Sequence, residues 1–99
     1  MPDAVLIEFG PGMTAELYDQ INGRVNPPDG RPEGLLFHCA GPSPDGGWRI
    51  IDVWESRAIF DSFLEAKVMP TVAELIGPEA MAQGPPPRIE SWPMHNLEL

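Results

Sequence analysis

The chain has one cysteine, Cys39, and few basic residues: 6 lysines and arginines stand against 15 aspartates and glutamates, a formal net charge of −9. A single cysteine cannot form a disulfide within the chain, and we interpret Cys39 as a small buried hydrophobic residue of a strand. The acidic balance repels phosphate backbones and anionic lipid surfaces. We therefore expect neither nucleic acid nor a membrane surface as a partner.

Long apolar runs are also lacking. No run approaches the roughly 18 residues of a membrane-spanning helix. The first residues, Met1 to Asp3, lack the basic start and the long apolar stretch of a secretion signal. We therefore expect a cytoplasmic protein. Its 99 residues form one domain, residues 1–99, whose limited core would gain stability from self-association.

Motifs of several enzyme classes are missing from the sequence. There is no paired-cysteine zinc motif, no His-Glu-x-x-His, no glycine-rich phosphate loop before a helix, and no Gly-x-Ser-x-Gly nucleophile elbow. His38, Asp52 and His95 lack the clustered spacing of metal ligands. We predict that the protein holds no metal and no cofactor.

What the sequence does contain is an alternation of strand and helix patterns. Helical apolar spacing predicts helices that begin after Thr14 and Ser56, and Pro70 is expected to kink the second helix. A turn-rich connection is predicted over residues 77–87. Apolar runs bounded by turn residues predict strands over residues 4–9, 34–41, 47–55 and 88–96.

The element order is therefore strand, helix, strand, strand, helix, strand. This is the ferredoxin-like βαββαβ pattern, an α+β domain with a four-stranded antiparallel sheet. The fourth strand is an edge strand in this topology, in agreement with the proline at position 93.

The second and third predicted strands flank a hairpin loop rich in glycine and proline, residues 41–47. We expect Gly41 to oppose Gly47, and side chains alternate between the two faces of a strand. One face of the sheet then carries Leu36, His38, Ala40, Trp48, Ile50, Asp52 and Trp54. This combination of a histidine, an aspartate and two indoles makes that face the best candidate for a site.

Both faces of the predicted sheet are substantially apolar. Two helices can cover only one of them, so the other face should meet a second sheet, most simply that of an identical subunit. We predict a homodimer.

The junction Val53-Trp54-Glu55-Ser56, which leads to Phe60 and Phe63, resembles that of antibiotic biosynthesis monooxygenase-like domains. These belong to the dimeric α+β barrel superfamily, and the resemblance in element order covers nearly the whole chain. It implies a dimeric α+β barrel with a pocket between sheet and helices in each subunit. It also implies two candidate activities, cofactor-independent oxygenation of polycyclic phenols and haem degradation.

The haem-degrading branch has an asparagine on its first strand, a tryptophan in its second helix and a histidine further along that helix. This chain has no asparagine over residues 4–9, offers Phe63 at the tryptophan position, and has no histidine between Trp54 and Leu75. The resemblance therefore does not extend to haem degradation.

A cofactor-independent oxygenase needs a pocket that excludes water, a group that removes a phenolic proton, and donors that hold the resulting anion beside dioxygen. His38 and Asp52 are the predicted catalytic residues, with His38 as the base and Asp52 as the carboxylate that fixes its tautomer. The predicted register makes them diagonal neighbours. The structural alternative is a hydrogen-bonded sheet histidine beside an aspartate that binds a backbone group or an arginine.

Aromatic side chains supply the predicted ligand-binding residues, since large rings stack on planar ligands; the same rings could equally close a core or anchor a dimer interface. Tyr18 follows core-facing Leu17 and could place its hydroxyl at a pocket mouth, although a surface or core-edge position is the simpler interpretation. Arg49, on the opposite face, is expected to form a structural ion pair. The predicted ligand-binding set is Trp48, Trp54, Phe63 and Trp92.

The leading hypothesis is a homodimeric, cofactor-independent monooxygenase-like protein that acts on a small aromatic or polyketide-like compound. One alternative is a non-catalytic dimeric barrel that binds a small molecule or supports a partner enzyme. A second alternative is an isomerase or cyclase on the same scaffold, because a lone base can also abstract a carbon-bound proton.

Overall fold

The strands of the computed structural model, which describes residues 2–98, form one antiparallel sheet in the order β2-β3-β1-β4. The predicted ferredoxin-like βαββαβ fold with a four-stranded antiparallel sheet is confirmed, and β4 is an edge strand as predicted. In chain order the elements are β1 (Asp3–Phe9), α1 (Ala15–Val25), β2 (Leu35–Pro42), β3 (Trp48–Trp54), α2 (Arg57–Phe63), a π-helical segment (Leu64–Val68), α3 (Met69–Ile76), α4 (Pro78–Gln83) and β4 (Arg88–Pro93). None of the helices in residues 2–98 is long and apolar enough to cross a membrane.

Hydroxyl caps set the first residues of two helices, as predicted. Thr14 Oγ1 accepts a hydrogen bond from the Leu17 amide at 3.1 Å, and Ser56 Oγ accepts one from the Ile59 amide at 3.2 Å. Helix α1 continues through the poor helix former Gly23 to Val25.

The helical stretch after β3 changes its hydrogen bonding just before Pro70. A proline lacks the amide donor, and its ring crowds the carbonyl four residues earlier. The chain meets this constraint with a π-helical turn, in which the Met69 amide donates to the Leu64 carbonyl. Where the sequence predicted a kink at Pro70, the structure therefore has a π-helical segment.

Helix α4 lies within residues 77–87, which the sequence analysis predicted to be a turn-rich connection. That prediction is wrong for residues 78–83. Pro78 occupies the first helical position, where a missing amide donor costs nothing, and the Gly84 amide closes the last turn on the Ala80 carbonyl at 3.0 Å.

The β2–β3 hairpin has a register two residues away from the predicted one. Gly41 pairs with Arg49 rather than Gly47, because the ladder continues and the Ser43 amide bonds to the Gly47 carbonyl at 3.0 Å. A shift of two residues keeps every side chain on its face of the sheet. His38 and Asp52 therefore remain on one face but are directly opposite each other rather than diagonal.

The structure has a β-bulge at the start of β2 that the sequence did not predict. Leu35 pairs with Trp54 and Phe37 pairs with Val53, so Leu36 is the extra residue between them. Leu35 is buried and Leu36 is exposed. The prediction that Leu36 shares the face of His38 is wrong, and Leu35 takes that place.

The main core lies between the sheet and the helices. Its buried members are Val5, Ile7, Leu35, Trp54 and Phe60. The other side of the sheet, here called the open face, carries the exposed side chains of Cys39, Ile51 and Trp92. The prediction that Cys39 is buried is wrong, because this residue lies on an edge strand and on the face away from the helices.

At Gly47 the hairpin loop lies close to the backbone of β1. A Cβ atom there would overlap the carbonyl oxygen of Phe9 and would lie 3.1 Å from Ser43 Oγ. Backbone cannot move aside as a flexible side chain does, so only glycine fits without displacing a strand.

We predict that Gly47→Ala lowers the free energy of unfolding by about 1–3 kcal/mol, because the added methyl group forces β1 and the loop apart. Gly41→Ala is the matched control, since nothing lies within 4 Å of a Cβ atom at that position. Urea denaturation followed by tryptophan fluorescence measures both variants. Equal stability of the two variants would contradict the proposed close approach.

Candidate functional site

A cavity of about 590 Å³ lies between the sheet and the helices, in the size range of sites that hold small organic ligands. Its polar lining residues include Tyr18, Asn22, Asn26, His38 and Asp52. Apolar side chains from the strands and helices form much of the remaining wall, and they include Ile7, Phe9, Leu17, Ile21, Leu35, Ile50, Trp54, Phe60, Phe63, Leu64, Val68 and Val72.

Four side chains at this cavity form one continuous set of hydrogen bonds, here called the polar chain. The Tyr18 hydroxyl donates to Nε2 of His38, and Nδ1–H of His38 donates to Oδ1 of Asp52 at 2.6 Å. Nε1–H of Trp54 donates to the second oxygen, Oδ2 of Asp52, at 3.1 Å. The neutral imidazole therefore carries its proton on Nδ1 and presents Nε2 as an acceptor.

Sheet pairing and one helix face build the polar chain. His38 and Asp52 are direct cross-strand partners, and Trp54 follows Asp52 by two residues, so all three side chains leave the same face of the sheet. Tyr18 lies in the first turns of α1, where its amide donates to the Thr14 carbonyl at 2.9 Å. The cap at Thr14 thus fixes the start of the helix that brings the phenol to the histidine.

Asp52 is 5% exposed, and a buried carboxylate is costly unless donors satisfy it. His38 and Trp54 each supply one donor to a separate oxygen atom. Burial, followed by the negative charge of Asp52 and then by Asp19 and Cys39, raises the pKa of Tyr18 to about 12. The Tyr18 hydroxyl therefore keeps its proton at neutral pH and remains a donor to His38.

Aromatic rings form the wall next to the polar chain. The ring centroid of Trp54 lies 5.9 Å from that of Phe60 and 5.1 Å from that of Phe63, with tilted planes. Trp48 packs against Tyr18, with ring centroids 5.2 Å apart, and is not part of the cavity lining.

The structure brings together four of the six predicted site residues: His38, Asp52, Trp54 and Phe63 all line the cavity. Trp48 reaches the site only through Tyr18, and Trp92 lies on the open face, away from the cavity. The catalytic and ligand-binding roles of these residues stay predictions. Arg49 binds Glu8 at 3.2 Å on the open face, which confirms the expected ion pair.

Tyr18 is the site residue that the sequence analysis did not select. A surface or core-edge position was the simpler interpretation, yet the structure places the hydroxyl on His38. The available signal was helical spacing: Tyr18, Ile21 and Val25 follow one another at intervals of three and four, the pattern of a single helix face.

Groups of three or more histidine, cysteine, aspartate or glutamate side chains that could hold a metal ion do not occur in residues 2–98. The predicted absence of a metal and of a cofactor remains a prediction.

No protein-family model matches the chain, and no curated protein matches it. Solved structures do match over nearly its full length. A monooxygenase from the gene ActVA-Orf6 of Streptomyces coelicolor, in complex with nanaomycin D, is 24% identical, with a TM-score of 0.61, and the match covers 98% of this chain and 90% of that one. A mutant of SnoaB, a cofactor-independent oxygenase from Streptomyces nogalater, is 13% identical, with a TM-score of 0.64 and coverage of 97% and 95%.

A Chloroflexus aurantiacus protein described as a candidate antibiotic biosynthesis monooxygenase is 15% identical, with a TM-score of 0.66 and coverage of 99% and 98%. Another matching chain, NE2512 of Nitrosomonas europaea, is a protein of unknown function that is 19% identical, with a TM-score of 0.66 and coverage of 99% and 93%. The structural neighbours over the full length thus include proteins of the antibiotic biosynthesis monooxygenase family, which confirms the resemblance predicted from the sequence at the level of the fold.

Tyr18 is the sole tyrosine of the chain, so the absorbance of tyrosinate reports it alone. We predict a titration midpoint of about 12 in the folded protein and roughly 10 in urea. Because folding raises this pKa, the contribution of the neutral phenol to stability is complete below pH 10 and is lost as the pH rises towards 12.

Asp52→Asn tests the electrostatic part of this shift, since it removes the charge that opposes tyrosinate; the folded midpoint should move part of the way towards 10, because burial of the phenol, the larger cause, remains. The wild-type protein in urea is the reference for a solvated tyrosine. A wild-type folded midpoint equal to that reference would contradict the buried, hydrogen-bonded placement of the phenol.

Proposed function

We propose that the chain is a cofactor-independent oxygenase of small phenolic or polyketide-like aromatic compounds. The observation that carries this proposal is a polar chain with acid–base capacity that lines an otherwise mostly apolar cavity. Neighbours with the same fold support it: one is a cofactor-independent oxygenase, and one is a monooxygenase in complex with nanaomycin D.

The proposed chemistry starts with loss of a proton from the bound phenol or its keto tautomer. The resulting anion is electron-rich and reduces dioxygen directly. For a ring methylene the balance is R₂CH₂ + O₂ → R₂C=O + H₂O, in which one oxygen atom enters the product and the other leaves as water. All the electrons come from the substrate, so the protein needs only to bind it, exclude water and accept the proton.

The polar chain supplies a path for that proton. Tyr18 passes its own proton to Nε2 of His38 as it takes one from the substrate, so that no tyrosinate persists; this suits a phenol whose pKa is raised to about 12. Asp52 then stabilises the imidazolium through Nδ1–H, and Trp54 holds the second carboxylate oxygen in place. The surrounding apolar wall strengthens these interactions by excluding water.

His38→Ala should reduce oxygen consumption with a panel of polycyclic phenols by about 10²–10⁴-fold, because it removes the proton acceptor. The protein has one other histidine, His95, which is exposed and outside the cavity; His95→Ala is therefore the matched control and should retain wild-type turnover. An oxygen electrode measures the rates, and thermal melts confirm that both variants fold. Unchanged turnover of His38→Ala would exclude the proposed base.

A non-catalytic binding protein is the second candidate function. It is favoured by one observation: both ring nitrogens of His38 already have protein partners, so the polar chain is satisfied without a ligand. A binder would show a higher melting temperature with polycyclic phenols while consuming no oxygen. The same substrate panel therefore separates the two functions.

We further propose that the open face forms a homodimer. Ile51 is 37% exposed and Trp92 is 46% exposed on this face, and exposed apolar patches on a protein surface often mark an interface with another protein. Glu8 binds Arg49 at 3.2 Å and Arg88 at 3.6 Å, so the neighbouring charges are already paired within one chain. A second copy can then cover the apolar part without stranding those charges.

Ile51→Glu should convert the dimer into a monomer in sedimentation velocity, because it places an unpaired charge at the proposed interface. Ile76→Glu is the control: this isoleucine is similarly exposed, at 38%, but lies in α3. A monomeric wild-type protein, or a dimer that survives Ile51→Glu, would contradict the proposed interface.

A further inference from the structure

A second cavity, of about 460 Å³, adjoins the C-terminal half of α1 and the loop that follows it. We call it the outer recess. Unlike the main cavity, the outer recess is lined largely by polar residues: Asp19, Asn22, Asn26, Arg31 and His38.

The two cavities share part of their walls. Asn22, Asn26 and His38 line both the main cavity and the outer recess. The two cavities adjoin at these three side chains, with a mostly apolar space on one side and a more polar one on the other. A ligand substituent that leaves the main cavity at this point would enter the outer recess beside His38.

Arg31 gives the outer recess its specific chemistry. Four other arginines, Arg24, Arg49, Arg57 and Arg88, each have a carboxylate partner within 4 Å. In contrast, Arg31 forms no ion pair anywhere in the described residues, 2–98. A guanidinium left unpaired in a chain with a net charge of −9 is suited to a carboxylate, which it can bind through two parallel hydrogen bonds.

We propose that the outer recess binds a carboxylate arm of the same ligand whose aromatic ring occupies the main cavity. Arg31 pairs with the carboxylate, and the side-chain amides of Asn22 and Asn26 offer donors along the way. The ligand class is thus a fused-ring aromatic acid, not a neutral phenol. This inference rests on the proposed function, because it assumes that the main cavity takes the ring.

The arm also determines how the ring lies. Since the arm would enter the outer recess beside His38, which lines both cavities, the ring edge that carries the arm lies beside the polar chain. The apolar walls alone would accept a ring in several orientations, because apolar contacts are non-directional. Arg31 is therefore a specificity-determining residue that positions the reacting edge of the ring near Tyr18.

Two matched probes test the proposal: rhein, a dihydroxyanthraquinone carboxylate, and chrysophanol, which has a methyl group in place of the carboxylate. The wild-type protein should bind rhein about tenfold more tightly than chrysophanol, the effect of one charge-assisted contact. Arg31→Gln should abolish this preference by weakening the binding of rhein without changing the binding of chrysophanol. Quenching of tryptophan fluorescence measures the affinities, and added salt should reduce the preference.

Two further variants separate a local charge effect from a general one. Arg24→Gln also removes an arginine near the end of α1, but Arg24 does not line the outer recess and should leave both affinities unchanged. Asp19→Asn removes the opposing negative charge of the recess and should strengthen rhein binding. Opposite effects of Arg31→Gln and Asp19→Asn on rhein, with none on chrysophanol, would support the proposal.

The outcomes distinguish failure of the carboxylate site from failure of ring binding in the main cavity. If both probes bind and Arg31→Gln changes neither affinity, the carboxylate site is wrong while ring binding in the main cavity stands. If neither probe binds to the wild-type protein, the proposed aromatic ligand is wrong, and the assignment of the outer recess fails with it.

Discussion

The structure depends on one buried carboxylate. Asp52 is almost without solvent and therefore needs donors on both oxygen atoms, which His38 and Trp54 supply. The hydrogen bond to His38 fixes the imidazole tautomer. The unprotonated nitrogen of that tautomer, Nε2, accepts a hydrogen bond from the Tyr18 hydroxyl. The need to satisfy a carboxylate on the central strand β3 therefore fixes side chains of the edge strand β2 and of helix α1. One electrostatic constraint thus links three elements of the site.

Much of this arrangement was predictable because strand alternation is robust. The faces of His38, Asp52 and Trp54 were correctly predicted from a register that was wrong by two residues, since a shift by two preserves the face of each side chain. Strand alternation does not predict the bulge in β2. Leu35 and Leu36 are chemically identical, and only packing against Trp54 and Phe60 decides which of them is buried.

Features that depend on contacts between distant segments could not be predicted from the sequence. The bond between Tyr18 and His38 joins residues 20 positions apart and exists only because α1 crosses the sheet at that point. Cys39 has the composition of a buried strand residue, yet its exposure follows from which face the helices cover. The outer recess likewise arises from the path of the loop after α1, which supplies Pro27, Pro28 and Arg31 to its wall and has no periodic signal.

Because of the π-helical turn, the helical wall of the cavity can change independently of the wall formed by the sheet. Such a turn holds one residue more than an α-helical turn, and removing one residue would rotate everything after it by about 100° about the helix axis. Val72 and Ile76 would then leave the cavity, while the strands that carry His38 and Asp52 would stay where they are. A single-residue insertion or deletion can therefore change which ligands the cavity accepts while the acid–base residues stay in place. Substrate preference and reaction chemistry can then evolve separately on this fold.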